Sequence, residues 1–145
     1  MENRKEFTFP SADGRTAIHA VEWHPAGEPA GILQIAHGVA EYALRYEPFA
    51  RFLNAHGFLV VANDHLGHGE SVAEGAPRLY FGEKGSWQHV VDDMYTLRCR
   101  TGEAYPELPY FIMGHSMGSF LTRTYLIRYP GTVKGAILML SLIHI

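Results

Sequence analysis

Cysteine, basic runs and long apolar stretches are all scarce in these 145 residues, and each scarcity excludes something. Cys99 is the single cysteine, so no internal disulfide can form, which fits a reducing compartment. It lies in a helical stretch with no histidine close by in sequence and reads as an ordinary helix residue rather than a nucleophile. Beyond Arg4-Lys5 there is no basic run, and the net charge is −3 with histidine neutral, a balance that argues against a nucleic-acid surface. Residues 1–7 lack the apolar core of a signal peptide. No run approaches the roughly 18 apolar residues that a membrane span needs, so a cytoplasmic protein is the expectation. Repeats and low-complexity segments are missing too. The last scarcity falls late: from Met117 to Ile145 there is no Asp or Glu, and His144 is the only histidine.

What is present suits a globular α/β domain. Apolar residues make up 47% and charged residues 19%, and the length fits about one domain. Phe7-Thr8-Phe9 and Thr16 to Trp23 read as strands joined around Asp13-Gly14. Pro25 to Gly31 is a linker. Ile32 to Ala36 and Phe58 to Asn63 are continuous apolar runs of the kind found in strands covered on both faces. Between them, Glu47 to His56 carries Phe49, Ala50, Phe52 and Leu53 on one helical face, and Gly57 closes that helix. Strand, helix, strand makes a βαβ unit, hence a parallel sheet.

A Gly-rich loop runs from Asp64 to about Trp87. Asp64, His65 and His68 could suit a metal by spacing, but a strand-end loop without a second cluster is better read as structural, and no metal or cofactor is expected. Gln88 to Ala104 is helical, with Val90, Val91, Met94 and Leu97 inward and Asp92 and Asp93 near its N-terminal end. Pro106 and Pro109 lead to a strand at Tyr110 to Met113. A helix from Met117 to Tyr129 should bury Met117, Phe120, Leu121, Tyr125 and Leu126 beneath the sheet, and Pro130-Gly131 stops it. Val133 to Leu142 is a further apolar strand.

Gly114-His115-Ser116-Met117-Gly118 stands between strand and helix. In that setting Gly-x-Ser-x-Gly forms a turn too tight for side chains at the flanking glycines, lifting the Ser116 hydroxyl above the sheet edge and aiming the Met117 N–H where an oxyanion would form. The alternative is a Ser116 that only caps the helix.

With His37-Gly38-Val39-Ala40-Glu41 and Asp64-His65-Leu66-Gly67-His68-Gly69-Glu70-Ser71, this motif resembles the α/β-hydrolases, and within them the monoacylglycerol lipase and lysophospholipase branch often grouped with serine aminopeptidase-like hydrolases. The resemblance covers about residues 7 to 139. It implies a mostly parallel sheet with an N-terminal antiparallel hairpin, truncated after about the sixth strand, and a small-molecule ester or lipid substrate. Ser116 would be the nucleophile and the N–H groups of Val39 and Met117 the oxyanion hole, with His37, Gly38, Gly114, His115 and Gly118 shaping the site. A peptidase, an acyltransferase or a non-catalytic hydrolase-like binding module on the same fold are the alternatives.

The fold's order is Ser, then Asp or Glu, then His, and residues 117–145 do not supply it. Leu140 to Ile145 resembles the translated end of a transposon used in sequencing libraries. The expectation is a truncated frame with residues 1–139 forming the N-terminal part of a single hydrolase domain and 140–145 a non-native tail, inactive by itself, with an open apolar edge at its last strand. Acyl chain, head group and oligomeric state are not legible.

Overall fold

The computed structural model describes residues 3–140. Six strands form one sheet: β1 (Arg4–Pro10), β2 (Ala17–Trp23), β3 (Gly31–Ala36), β4 (Phe58–Asn63), β5 (Tyr110–His115) and β6 (Gly135–Met139). Their spatial order is β1-β2-β4-β3-β5-β6. β1 and β2 form the antiparallel hairpin and β2 runs antiparallel to β4, while β4, β3, β5 and β6 are mutually parallel. The hairpin turn is held by Asp13, whose Oδ1 accepts the N–H groups of Arg15 and Thr16 at 2.8 Å.

Alternation along the buried strands splits the core into two faces. Ile18, Ala20, Ile32, Leu59, Val61 and Ile112 pack with Val90, Met94 and Leu97 of α2 (Ser86–Ala104) and Leu121 and Tyr125 of α3 (Met117–Arg128). Val21, Trp23, Leu33, Ile35, Val60, Ala62 and Met113 face the other way, toward Ala43 and Ala50. Ala50 belongs to α1 (Glu47–Ala55), which follows a 3-10 turn at Ala43–Tyr46. Among the described residues no helix is long and apolar enough to cross a membrane.

Three expectations about helix faces need correction. On α1 only Ala50 is buried and Leu53 half-buried, while Phe49 and Phe52 are 39% and 58% exposed. The sheet face beside them is only partly covered, leaving an apolar groove lined by Leu33, Phe49, Phe111 and Ile137. On α3 the buried residues are Gly118, Ser119, Leu121, Thr122 and Tyr125, whereas Met117, Phe120 and Leu126 are half-buried. The helix lies so close to the sheet that its contact stripe must be small. On α2, Asp92 and Asp93 lie beyond the first turn. Their partners are tertiary: Asp93 accepts from Ser11 Oγ and the Ala12 N–H, each at 2.7 Å, and Asp92 accepts from the Tyr129 hydroxyl and Arg128.

β6 is shorter than Val133 to Leu142, and residues 141–145, which hold most of the suspected tail, lie outside those described. Among the described residues β6 has no neighbour on its outer side, and Ile137, Leu138 and Met139 are 52%, 40% and 43% exposed. An apolar edge of this kind templates pairing with other chains. The chain should therefore self-associate at micromolar concentration, and Ile137→Lys should shift it toward monomer in sedimentation velocity. A monomeric parent chain would contradict this.

Candidate functional site

β3 lies between β4 and β5, and the chain leaves it first toward one neighbour and later toward the other. The carboxyl ends of β3 and β5 thus flank the switch point of the sheet, where open α/β sheets form their ligand crevice. The loop after β3 carries His37 to Glu41. The turn after β5 carries Ser116.

Ser116 has φ +54° and ψ −119°, a positive φ that a residue with a Cβ rarely adopts. Its backbone N–H donates to Met139 O at 2.9 Å, tying the turn to β6. Its side chain makes no capping bond to α3, which disposes of the reading of Ser116 as a mere helix cap. Ser119 Oγ satisfies the Ser116 carbonyl instead, at 2.7 Å. The flanking glycines are required by contact. A Cβ on Gly114 would collide with Gly118 O and Thr122 Oγ1, and one on Gly118 would collide with the carbonyl oxygens of Ala36 and His37.

Across the crevice, a Cβ on Gly38 would lie 3.2 Å from Ser116 Cβ, so the β3 loop touches the turn that carries Ser116. His37 Nδ1–H donates to Gly38 O at 2.7 Å and His37 Nε2 accepts the His65 N–H at 2.9 Å, which sets its tautomer. His65 Nε2–H returns a bond to His37 O at 3.0 Å. His37 and His65 are wholly buried, with ring centroids 4.0 Å apart. Burial pushes His37 down to about 4 and His65 well below the usual imidazole range, so both are neutral near pH 7. They lock the two strand-end loops together.

Asp64 is likewise spent on structure. Its carboxylate accepts from the N–H groups of Ala43 and Glu70 at 2.6 and 2.9 Å and from His19 Nδ1–H at 2.9 Å. Burial opposes its ionisation, yet His19 and the two amides hold the carboxyl below its ordinary range. Among the described residues no group of three or more His, Cys, Asp or Glu side chains is arranged to hold a metal.

Glu41 closes the His37-Gly38-Val39-Ala40-Glu41 motif, and its role shows only in the fold. It is buried, and its Oε2 accepts from the Gly38 N–H at 2.6 Å, the Tyr46 hydroxyl at 3.0 Å and His115 Nδ1–H at 3.1 Å, while Oε1 pairs with Arg45 at 3.3 Å. The available signal was its spacing: a carboxylate three residues after a tight turn can reach back to a free backbone N–H, as in a capping box. Val39 is 57% exposed, and the N–H of Met117 lies in the first turn of α3, where no intrahelical acceptor exists. The structure thus brings Ser116, Gly38, His115, Gly114 and Gly118 together with Met117 and the loop bearing His37 and Val39.

A family model described as serine aminopeptidase, S33, matches residues 27–145. The chain is 36% identical over 135 residues to the monoacylglycerol lipase of Mycolicibacterium smegmatis, covering 93% of this chain and 46% of that protein. It is 35% identical over 138 residues to the monoglyceride lipase of Homo sapiens, covering 92% of this chain and 42% of that protein. The crystal structure of a thermostable carboxyl esterase from Bacillus coagulans in complex with glycerol superposes with a TM-score of 0.86 at 35% identity, covering 94% of this chain and 44% of that one. The chain spans less than half the length of these relatives. With its sheet order, its strained serine and these matches in agreement, the chain belongs to the serine aminopeptidase S33 family and has the α/β-hydrolase fold.

Proposed function

We propose that this chain carries the nucleophile and oxyanion machinery of a serine hydrolase that cleaves carboxylic esters, with monoacylglycerols or lysophospholipids as substrates. Ser116 Oγ attacks the acyl carbonyl carbon, giving up its proton to a base. The N–H groups of Val39 and Met117 hold the tetrahedral oxyanion, the alcohol leaves with a proton, and water then releases the carboxylic acid from the acyl-enzyme. Loss of one such donor costs about 2.7–4 kcal/mol of transition-state stabilisation. The observation that carries this reading is the strained, uncapped Ser116 at the β3/β5 switch point, between two glycines that tolerate no Cβ.

The lipase names of the curated relatives support an ester substrate, while the family description supports a peptidase as the second reading. Residues 117–145 hold no Asp or Glu and only His144 as a histidine, so this stretch does not supply the acid-then-histidine order of the fold. The 145-residue chain by itself should turn over little, and a parent protein carrying these residues with downstream sequence should hold the activity.

A serine-directed phosphonate probe tests the reading. Labelling of the parent protein should map to Ser116 and vanish in Ser116→Ala, and labelling that survives that substitution would refute the nucleophile. Hydrolysis of acylglycerols in preference to aminoacyl amides should follow. The reverse preference would make the protein a peptidase.

A further inference from the structure

We propose that Glu41 is a positioning residue for the reaction at Ser116, its carboxylate holding the β3 loop so that the Val39 N–H faces the developing oxyanion; this rests on the nucleophile reading above. Two adjacent peptide groups decide where that N–H points. The Gly38 C=O and the Val39 N–H share one planar unit and point in opposite directions. Gly38 O is held by His37 Nδ1–H at 2.7 Å and by the Glu41 N–H at 3.4 Å. The preceding peptide is held by its Gly38 N–H, which donates to Glu41 Oε2 at 2.6 Å. With both groups pinned, the Val39 N–H is left over and its direction is set. Ala40, at φ +58°, completes the reversal that brings Glu41 back over Gly38.

The same oxygen accepts His115 Nδ1–H, so one carboxylate joins the β3 loop to the residue preceding Ser116. Two other roles fit less well. As a general base Glu41 is poor: burial opposes its charge, yet the Gly38 N–H, His115 and Tyr46 hold its carboxyl below the ordinary range, and its lone pairs are occupied. As a bare anion it would repel the oxyanion. Three donors on Oε2 and Arg45 on Oε1 screen that charge. What is left for the carboxylate is geometric work.

The test is the rate of phosphonylation, by ethyl p-nitrophenyl methylphosphonate, of a parent protein that carries these residues with downstream sequence, in which a base takes the Ser116 proton. The Ser116 Oγ–P bond forms as the P–O bond to p-nitrophenolate breaks, and the charged phosphoryl oxygen enters the oxyanion hole. Misaiming one of two donors should cost part of the roughly 10²–10³ that outright removal costs. Glu41→Gln, which keeps an acceptor without its charge, should lower kinact about fivefold to tenfold with KI unchanged. Glu41→Ala should lower it at least tenfold further. A structural role alone would lower the folded fraction and not divide kinact from KI.

Unchanged kinact in Glu41→Gln overturns the proposal, and that variant decides the matter should Glu41→Ala fail to fold. A fall confined to KI also overturns it. Labelling that is absent from the parent protein, or is undiminished in Ser116→Ala, removes the nucleophile reading and this inference with it. Labelling lost in Ser116→Ala but unaltered in both Glu41 variants defeats the role of Glu41 alone.

Discussion

Gly118→Ala should cost about 3 kcal/mol or more of folding stability, because the added methyl has nowhere to go. Its Cβ would sit inside contact distance of the carbonyl oxygens of Ala36 and His37, both main-chain atoms at the end of a central strand. Side chains can rotate away from a new methyl, but β3 cannot move without breaking its pairing with β4 and β5. α3 must then lift off the sheet, opening the core around Leu121 and Tyr125, both wholly buried. The same substitution at Gly27, where nothing lies within 4 Å of the built Cβ and φ is not positive, should be nearly neutral. Urea unfolding of the two variants makes the comparison. A Gly118→Ala variant within about 1 kcal/mol of its parent would mean that the close approach of α3 to β3 is wrong.

Acid is expected to weaken the fold through the buried imidazoles, and one carboxyl opposes them. The folded His37 is depressed from 6.5 to about 4, so the stability it contributes is present above 6.5 and is lost as pH falls toward 4. Between pH 7 and pH 4.5 that loss is about 2 kcal/mol. His65, depressed further by burial and by the neighbouring imidazoles, has the same sign. Structurally, protonating His37 turns Nε2 into a donor against the His65 N–H it now accepts. Protonating His65 Nδ1 adds a buried N–H to an atom that has no partner among the described residues.

Asp93 acts in the opposite sense. Burial raises it from 3.8 to about 6, so the folded state takes up a proton first and gains stability as pH falls from 6 toward 3.8. That gain is also about 2 kcal/mol by pH 4.5. His19, raised chiefly by its bond to Asp64, likewise favours the folded state below 6.5 and loses that contribution as pH rises through its folded value. Asp93→Asn keeps an acceptor for the Ala12 N–H and reverses the Ser11 bond, its Nδ2–H donating to Ser11 Oγ, while removing the titration. Stability measured by urea at pH 7 and pH 4.5 should fall about 2 kcal/mol further in Asp93→Asn than in the parent. Equal falls would mean that Asp93 is not held protonated by burial.

The strands were legible because their signal is local. Phe58 to Asn63 is apolar throughout and carries a parallel strand buried on both faces, and the structure begins and ends it at the same residues. The serine turn was legible too, since glycine on both sides of a serine between strand and helix has few other uses. Helix faces were read less well. The criterion applied to α3 was apolar side chains at helical spacing, which selected Met117, Phe120 and Leu126. Its contact face is set instead by how near the backbone of α3 comes to β3, which calls for Gly118, Ser119 and Thr122. Phe49 and Phe52 were assigned to the core of α1 by the same criterion, yet the sheet face beside them is only partly covered.

From the order of its residues alone came the βαβ periodicity, the parallel sheet and the position of the strained serine, because each depends on contacts within a few residues or on a pattern repeated along one element. The tertiary structure alone decided that Glu41 reaches back to Gly38 and across to His115, that His37 and His65 lock two loops, and that Asp93 belongs to the hairpin rather than to its own helix. Those pairings join residues as far as 82 positions apart in the chain. A hydrogen bond between such groups exists only once the sheet has set its strand order, and nothing in the local sequence encodes the distance.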